Sequence, residues 1–322
     1  MSLSFGKVKL RNNLIMAPMA GVTDLFFRNI VWQFGAGLTV SEMVSAKSIV
    51  YGNKKTISLM ENYRTPFSIQ FFGSEPDILA AAIQRLDAEY PDVNYDIVDI
   101  NMGCPMPKVV KNGEGAALMR DPTLAGQLVK AAVNASPRPV TVKIRKGFTN
   151  STVNAVKMAQ IAEANGAAAV AVHGRTRDQY YSGVADWEII KDVKANIKIP
   201  VITNGDIFTP KDAKKALEIT GADGLMLARG AMGNPWLFSR TLAYLQTGIL
   251  PPEPTANEII NTAIQHVQAV EAHPGGRIEE MRKHISWYTK GMHGSADIRR
   301  RVNLAKTATE METLLKEMRN PQ

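Results

Sequence analysis

Between residues 13 and 229 the chain repeats one pattern: a short apolar, β-branched run, a polar residue at its end, then a longer stretch with apolar positions three and four apart. The runs are "LIMAP" (14–18), "LTVSEM" (38–43), "FSIQFF" (67–72), "DIVDIN" (96–101), "VTVKI" (140–144), "AVAVH" (169–173), "VITNG" (201–205) and "GLMLAR" (224–229). The spacing predicts helices between them, over 76–89, 123–134, 152–165 and 210–220 among others, several with Pro in the first turn or Gly or Asn past the end. Eight near-continuous apolar strands alternating with helices predict an α/β fold of the (β/α)8 TIM-barrel type, because parallel strands need outer helical crossovers and are buried on both faces. A doubly wound sheet is the alternative, but a dinucleotide-binding one would carry GxGxxG after the first strand, where "APMAG" stands.

Past residue 245 the alternation stops. The Pro-rich "TGILPPEPT" leads into helical patterns with no strand run. Residues 1–245 are therefore expected to form the barrel, and residues 246–322 a small all-helical domain.

Active sites of such barrels lie at the C-terminal ends of the strands. Those ends carry Pro18 and Met19, Glu42, Gln70, Asn101, Lys143, His173, Asn204 and Arg229. Polar residues commonly follow strands, so no single one is diagnostic. Glu42, Gln70 and Lys143, however, sit inside or at the edge of apolar runs, where an amide or charge is costly without a partner. After the seventh and eighth strands, "NGDI" and "ARGAMGNPW" place glycines, Arg229 and a helix start where an anion such as phosphate can be held. Neutral donors and acceptors plus a lysine, above a phosphate cup, suit flavin mononucleotide (FMN), with Lys143 stabilising the negative charge of the reduced ring. There is no P-loop, CxxC or HExxH, so a nucleoside triphosphatase or a metal site is not expected.

Neighbouring strand-end residues from Pro18 to Arg229 lie 24–31 positions apart, except Asn101 and Lys143, which are 42 apart. The excess is the loop "GCPMPKVVKNGEGAALMRD" (103–121), a candidate lid with Gly113 and Gly115 as hinges. It opens on Cys104, the chain's one cysteine. A free cysteine is usually an inert buried thiol, but a strand end between Gly and Pro at a barrel mouth favours a chemical role. Beside a reduced flavin a thiol can protonate one carbon of a polarised C=C bond while hydride reaches the other.

One cysteine allows no internal disulfide, the N-terminal residues do not read as a signal peptide, and no apolar run approaches the ~20 residues of a membrane span. A cytoplasmic, non-membrane protein is expected. The net charge of +8 and pI near 9.4 favour a polyanionic partner only weakly, but the charge is uneven. Residues 277–306 hold eight Lys and Arg against three acids, with Trp287 and Tyr288 interleaved. These rings could stack on bases, although a place in the helical domain's own core is the stronger expectation for Trp287.

In order along nearly the whole chain, "MAPMAGVTD", "SEM", "IQFFG", "DINMGCPMPKVVKNGEGAALM", "VTVKIRKG", "VHGRTR", "VITNGDI", "LARGAMGNPW" and "RKHISWYTKG" resemble the tRNA-dihydrouridine synthases, nearest the bacterial B-type branch. The resemblance implies an FMN enzyme, reduced by NADPH, that reduces the C5=C6 bond of selected uridines in tRNA, with Cys104 protonating C5. It implies flavin contacts from Pro18, Met19, Ala20, Gln70, Lys143 and His173, and from Asn204, Gly205, Asp206, Ala228 and Arg229. Asn101 and Arg175 match positions near the uracil or phosphates. The helical domain would grip tRNA, with Lys283, Arg299 and Arg300 in its basic stretch as candidate contacts, in a protein expected to be a monomer. One departure is "EGAAL", where many members carry GSAL; Ala116 thus replaces a hydroxyl. The competing enzyme reading is a flavin barrel acting on a free pyrimidine, similar to dihydroorotate dehydrogenase, which the basic tail argues against. A third reading, an RNA-binding module on a degenerate barrel, conflicts with the complete strand-end set. Which uridines are modified is not written in the sequence.

Overall fold

The structure, a computed structural model, describes residues 3–318; the first two residues of the expected barrel domain and the last four of the expected helical domain lie outside it. A two-stranded antiparallel hairpin, β1 (Ser4–Phe5) and β2 (Val8–Lys9), comes first. The strands that follow are β3 (Leu14–Met16), β4 (Leu38–Val40), β5 (Val44–Ser45), β6 (Phe67–Phe72), β7 (Ile97–Met102), β8 (Val140–Gly147), β9 (Ala169–Thr176), β10 (Val201–Asn204) and β11 (Gly224–Leu227). Pairing runs β3, β4, β6, β7, β8, β9, β10, β11 and back to β3, parallel throughout, so eight strands close into the expected barrel. The predicted run 38–43 is not one strand. It ends at Val40, and β5 pairs only with the far end of β6, Val44 opposite Phe71.

The helices are α1 (Leu25–Gln33), α2 (Ala46–Val50), α3 (Pro76–Glu89), α4 (Pro107–Lys111), α5 (Pro122–Ala135), α6 (Ala155–Ala164), α7 (Glu188–Asn196), α8 (Pro210–Thr220), α9 (Trp236–Thr247), α10 (Ala256–Glu271), α11 (Met281–Tyr288), α12 (Ser295–Val302) and α13 (Ala308–Glu317). Two of the predicted spans, 76–89 and 210–220, are matched residue for residue. α8 shows why: Pro210 opens it, and Thr209 and Asp212 each satisfy the other's backbone N–H. The span 152–165 starts late, because Thr149 and Thr152 form the same reciprocal cap on a 3₁₀ turn and Val153 bridges back to Gly147.

The hairpin, absent from the sequence expectation, plugs the barrel at the strand N-termini. Leu3, Phe5 and Leu10 pack there on Ile15, Leu38, Ile97 and Ile202, each side chain contributing roughly 1.5–3 kcal/mol when fully buried. The opposite end stays open.

The last four helices share their own apolar core, built from Ile260, Val267, Met281, Ile285, Val302 and Leu315, with Phe26 of α1 and Trp236 of α9 packed against it. Arg240 of α9 holds the connecting segment by donating to the Pro251 carbonyl and pairing with Glu253. α11 lies directly on the barrel. Gly233 has φ +65°, and a Cβ there would stand 2.3 Å from the Trp287 carbonyl carbon, so only glycine allows that approach. Trp287 packs on the barrel-side cluster that includes Met16, Phe27 and Phe238, not within the helical core as expected.

Candidate active site at the strand C-termini

The open end of the barrel holds a cavity of about 490 Å³. Pro18, Met19, Ala20, Gln70, Lys143 and His173 line it, as do Asn204, Gly205, Asp206, Ala228 and Arg229, together with Asn101 and Cys104. A wider, open groove between α3, α5 and α6 is lined by small and apolar residues such as Ala80, Ala131 and Ile161 together with exposed polar ones such as Gln84, Lys130 and Lys157.

A chain of buried side-chain hydrogen bonds forms the cavity floor. Thr141 Oγ1 donates to Asp99 Oδ1 (2.5 Å), Gln70 Nε2 donates to Asp99 Oδ2 (2.6 Å), and Asn101 Nδ2 donates to Gln70 Oε1 (2.7 Å). Asn101 Oδ1 then accepts the backbone N–H groups of Gly103 (3.1 Å) and Cys104 (2.9 Å). The register explains the convergence: Gln70 stands opposite Asp99, Asp99 opposite Thr141, and Asn101 opposite Lys143, all on the inward face of their strands.

Cys104 is held at the rim by this chain and by its own carbonyl, which accepts from Ala116 N (3.0 Å). Burial pushes its thiol above the usual range, against a backbone hydrogen bond at Met106 and the charges of Arg145 and Lys143. The thiol keeps its proton at neutral pH. The segment expected to be a lid is largely packed: residues 114–119 are buried, while Met106 and Lys108 are exposed and Met106 lines the cavity.

Lys143 makes no hydrogen bond or ion pair among the described residues, and burial, then the neighbouring Arg145 charge, pull its pKa down to about 8. An unpaired ammonium facing a cavity suits a ligand that carries or develops negative charge. His173 is neutral, its pKa driven well below 6.5 by burial and then by Lys143, Arg145, Arg175 and Arg229. Arg175 Nη1 approaches His173 Nε2 at 3.4 Å; the guanidinium can only donate, which leaves the imidazole proton on Nδ1.

Strands β10 and β11 end in a cationic cup. Arg229 is fixed by Asp206 Oδ1 (3.0 Å), and its guanidinium carbon lies 4.8 Å from the centre of the Tyr181 ring. Asp206 also takes Arg175 through both oxygens (2.8 and 2.6 Å) and accepts from Ala185 N. Burial opposes its charge, but the Arg175 hydrogen bonds prevail and hold it below the usual carboxylate range. Gly205, at φ +119°, admits no side chain, because a Cβ would meet the Ala185 methyl at 2.7 Å and the His173 ring at 2.9 Å, so the β10 end packs directly on both.

Not every expected residue reaches the cavity. Arg175 is 1% exposed and spends its donors on Asp206, His173 and the Ser182 and Gly183 carbonyls, behind the cup rather than in it. Lys283 on α11 pairs with Glu280, with its ammonium beside Gly21 of the loop after β3. Arg299 donates to Ser295 Oγ (2.9 Å), and Arg300, mostly exposed, pairs with Asp297. Lys283 thus lies near the mouth, and the two arginines stand on α12. Glu42, past the end of β4, accepts from Gly21 N (2.5 Å) and braces the same loop.

The sequence reading missed Arg145. It is buried, lines the cavity, and donates to the carbonyls of Gly103 (2.7 Å), Thr176 (2.8 Å) and Tyr180 (2.9 Å), while burial lowers its pKa to about 10. The signal was present. Thr141, Lys143 and Arg145 alternate along β8, which runs to Gly147 rather than stopping at residue 144. Tyr181 and Phe208, the rings against Arg229, gave no such signal.

The model of one family, described as dihydrouridine synthase (Dus), matches residues 15–320. The chain belongs to the dihydrouridine synthase family. It is 45% identical over 307 residues to a probable tRNA-dihydrouridine synthase of Rickettsia bellii, covering 94% of this chain and 93% of that protein. Two relatives named tRNA-dihydrouridine synthase B, from Pseudomonas putida (40% over 306 residues; 94% of this chain, 90% of theirs) and Vibrio cholerae (41% over 314; 96% of each), are also similar. Dihydrouridine synthase membership thus rests on nearly the whole chain, helical segment included. Among the described residues no helix is long and apolar enough to cross a membrane.

Proposed function

We propose that this protein is a tRNA-dihydrouridine synthase, an FMN oxidoreductase that takes electrons from NADPH and reduces the C5=C6 bond of particular uridines in tRNA. The observation that carries the reading is a thiol kept protonated by burial on the rim of a cavity that also holds the Lys143 ammonium, which makes no hydrogen bond or ion pair among the described residues. The cavity fits the cofactor: it has amide donors at Gln70 and Asn101, bare backbone at Gly205 on its wall, and a cationic cup at Arg229. FMN reduced by NADPH supplies the hydride that reaches C6.

The chain's own groups do the rest. Pro18, Met19 and Ala20 wall the ring site, Gln70 and His173 offer it hydrogen bonds, and Lys143 sets positive charge against it. Asn204, Gly205, Asp206, Ala228 and Arg229 form the phosphate end, with Arg175 bracing Asp206. Asn101 faces the uracil and Cys104 delivers the proton to C5. Residues 1–245 serve as the catalytic domain and 246–322 as the tRNA-binding domain, where Lys283, Arg299 and Arg300 meet phosphates. The protein acts as a monomer, without a metal, in the cytoplasm where tRNA is found.

The purified protein should be yellow, be bleached by NADPH and form dihydrouridine in unmodified tRNA. Cys104→Ala should keep flavin and its reduction by NADPH but lose about 10²–10⁴-fold in the single-turnover rate on tRNA. A near-normal rate would remove Cys104 as the acid. Turnover of a free pyrimidine without tRNA would favour the dihydroorotate-type reading instead.

A further inference from the structure

Asp99 lies one layer below the cavity, 4% exposed, with Gln70 and Thr141 opposite it on the neighbouring strands and the buried apolar Ile97 next below it on its own. No cation comes within ion-pair distance of it among the described residues, and its two oxygens are served only by Thr141 Oγ1 and Gln70 Nε2. Burial pushes its pKa up, with the two hydrogen bonds and Lys143 opposing. An apolar residue would fill that layer without the cost of dehydrating a carboxylate. Asp99 does not itself line the cavity, so its cost is not offset by a direct contact with whatever the cavity holds.

What the carboxylate does provide is direction. An ionised carboxylate only accepts, so Gln70 must turn its NH₂ downward and its carbonyl toward Asn101. Asn101 must then give its NH₂ to that carbonyl, which leaves its own oxygen for the N–H groups of Gly103 and Cys104. Those backbone groups can only donate, so the polarity demanded from the Cys104 end agrees with the polarity imposed from the Asp99 end. Each amide has one N–H left, with no acceptor among the described residues, on side chains that line the cavity. We propose that Asp99 is a positioning residue: it fixes the sense of the Gln70–Asn101 chain, so that the floor shows N–H donors to carbonyl oxygens and the turn bearing Cys104 is held in register.

This inference deepens the function proposed above and rests on it, but part of its test does not. In flavin-free protein, hydrogen–deuterium exchange at the Gly103 and Cys104 amides should rise about tenfold in Asp99→Leu and about threefold in Asp99→Asn, which keeps the shape and one acceptor oxygen. In the flavin-loaded enzyme, kcat on tRNA should fall about a hundredfold for Leu and about fivefold for Asn, with KM for tRNA and the rate of flavin reduction by NADPH within about threefold of wild type. That split separates positioning from general loosening, which would move all three. Unchanged exchange at Gly103 and Cys104, or equal effects of Leu and Asn, would overturn the proposal. Should Asp99→Leu not fold, Asp99→Asn decides alone, and unchanged exchange in it overturns the proposal. If wild-type protein makes no dihydrouridine, the functional reading falls while the exchange result still decides the role of Asp99.

Discussion

Two buried polar clusters, each reaching the loop or turn that frames the cavity, are built in opposite ways. On the cavity floor, Thr141, Asp99, Gln70 and Asn101 match donor to acceptor at every step. At the joint between α1 and the C-terminal helices, Asp24 caps α1 through Phe27 N while its other oxygen faces His284 Nε2 at 3.6 Å. His284 and His266 pack their rings 4.6 Å apart; among the described residues both nitrogens of His284 and Nε2 of His266 have no hydrogen-bond partner, and His266 Nδ1 has only the Tyr288 hydroxyl at 3.4 Å. A matched network has one arrangement, whereas unmatched imidazoles are held by packing on Phe27, Trp287 and Tyr288. The barrel floor is therefore specified by hydrogen-bond direction and the joint by shape.

The contrast can be broken first at the floor. Asn101→Leu removes the acceptor for two backbone N–H groups and should lower the single-turnover rate on tRNA about a hundredfold, measured by quenched-flow dihydrouridine formation. Loss below threefold would mean that Arg145 and the Ala116 hydrogen bond hold the Cys104 turn unaided. At the joint the sensitive element is backbone contact: Gly233→Ala forces a methyl into the Trp287 carbonyl and should cost more than about 2 kcal/mol in denaturant unfolding. An unchanged midpoint would show that α11 can shift. A matched pair of substitutions sharpens the comparison further. Gln70→Leu should lose about 1–3 kcal/mol by stranding the partners of both its ends, while His266→Leu, which removes an unpartnered Nε2 and only one long contact, Nδ1 to the Tyr288 hydroxyl at 3.4 Å, should lose less, about 1 kcal/mol.

The smallest effect is a pH slope. Burial, and then His284, depress the His266 pKa to about 3 from an ordinary 6.5. The unfolded chain thus binds this proton more readily, and the stability that neutral His266 supports is complete above about 6.5 and drains away as pH falls toward 3. Asp24, at about 2 despite burial because His284 outweighs it, adds its own loss only between about 3.8 and 2. Thermal unfolding between pH 7 and 5 should fall more steeply for wild type than for His266→Leu; parallel curves would put the titration elsewhere.

Barrel and site differ in how far the sequence disclosed them. Parallel strands buried on two faces leave long apolar runs, so all eight were readable, and helices 76–89 and 210–220 carried their own caps. The split of 38–43 was not readable, because the bend after Val40 depends on Ser41 turning its hydroxyl to the Glu42 carbonyl and on β5 finding β6. Strand-end polarity led to Gln70, Asn101 and Lys143. Asp99 and Thr141 lie deeper on the same faces, and their roles exist only through cross-strand register, which no single run displays. Trp287 shows the same limit: its spacing on α11 suits either core, and only the Gly233 contact decides which one receives it.

Lys143 has a consequence for the life history of the molecule. A newly made chain must close its barrel around an ammonium that forms no ion pair among the described residues, so on the functional reading given above the flavin is a folding partner as well as a reagent. On that reading the protein should resist proteolysis better with flavin bound than without it.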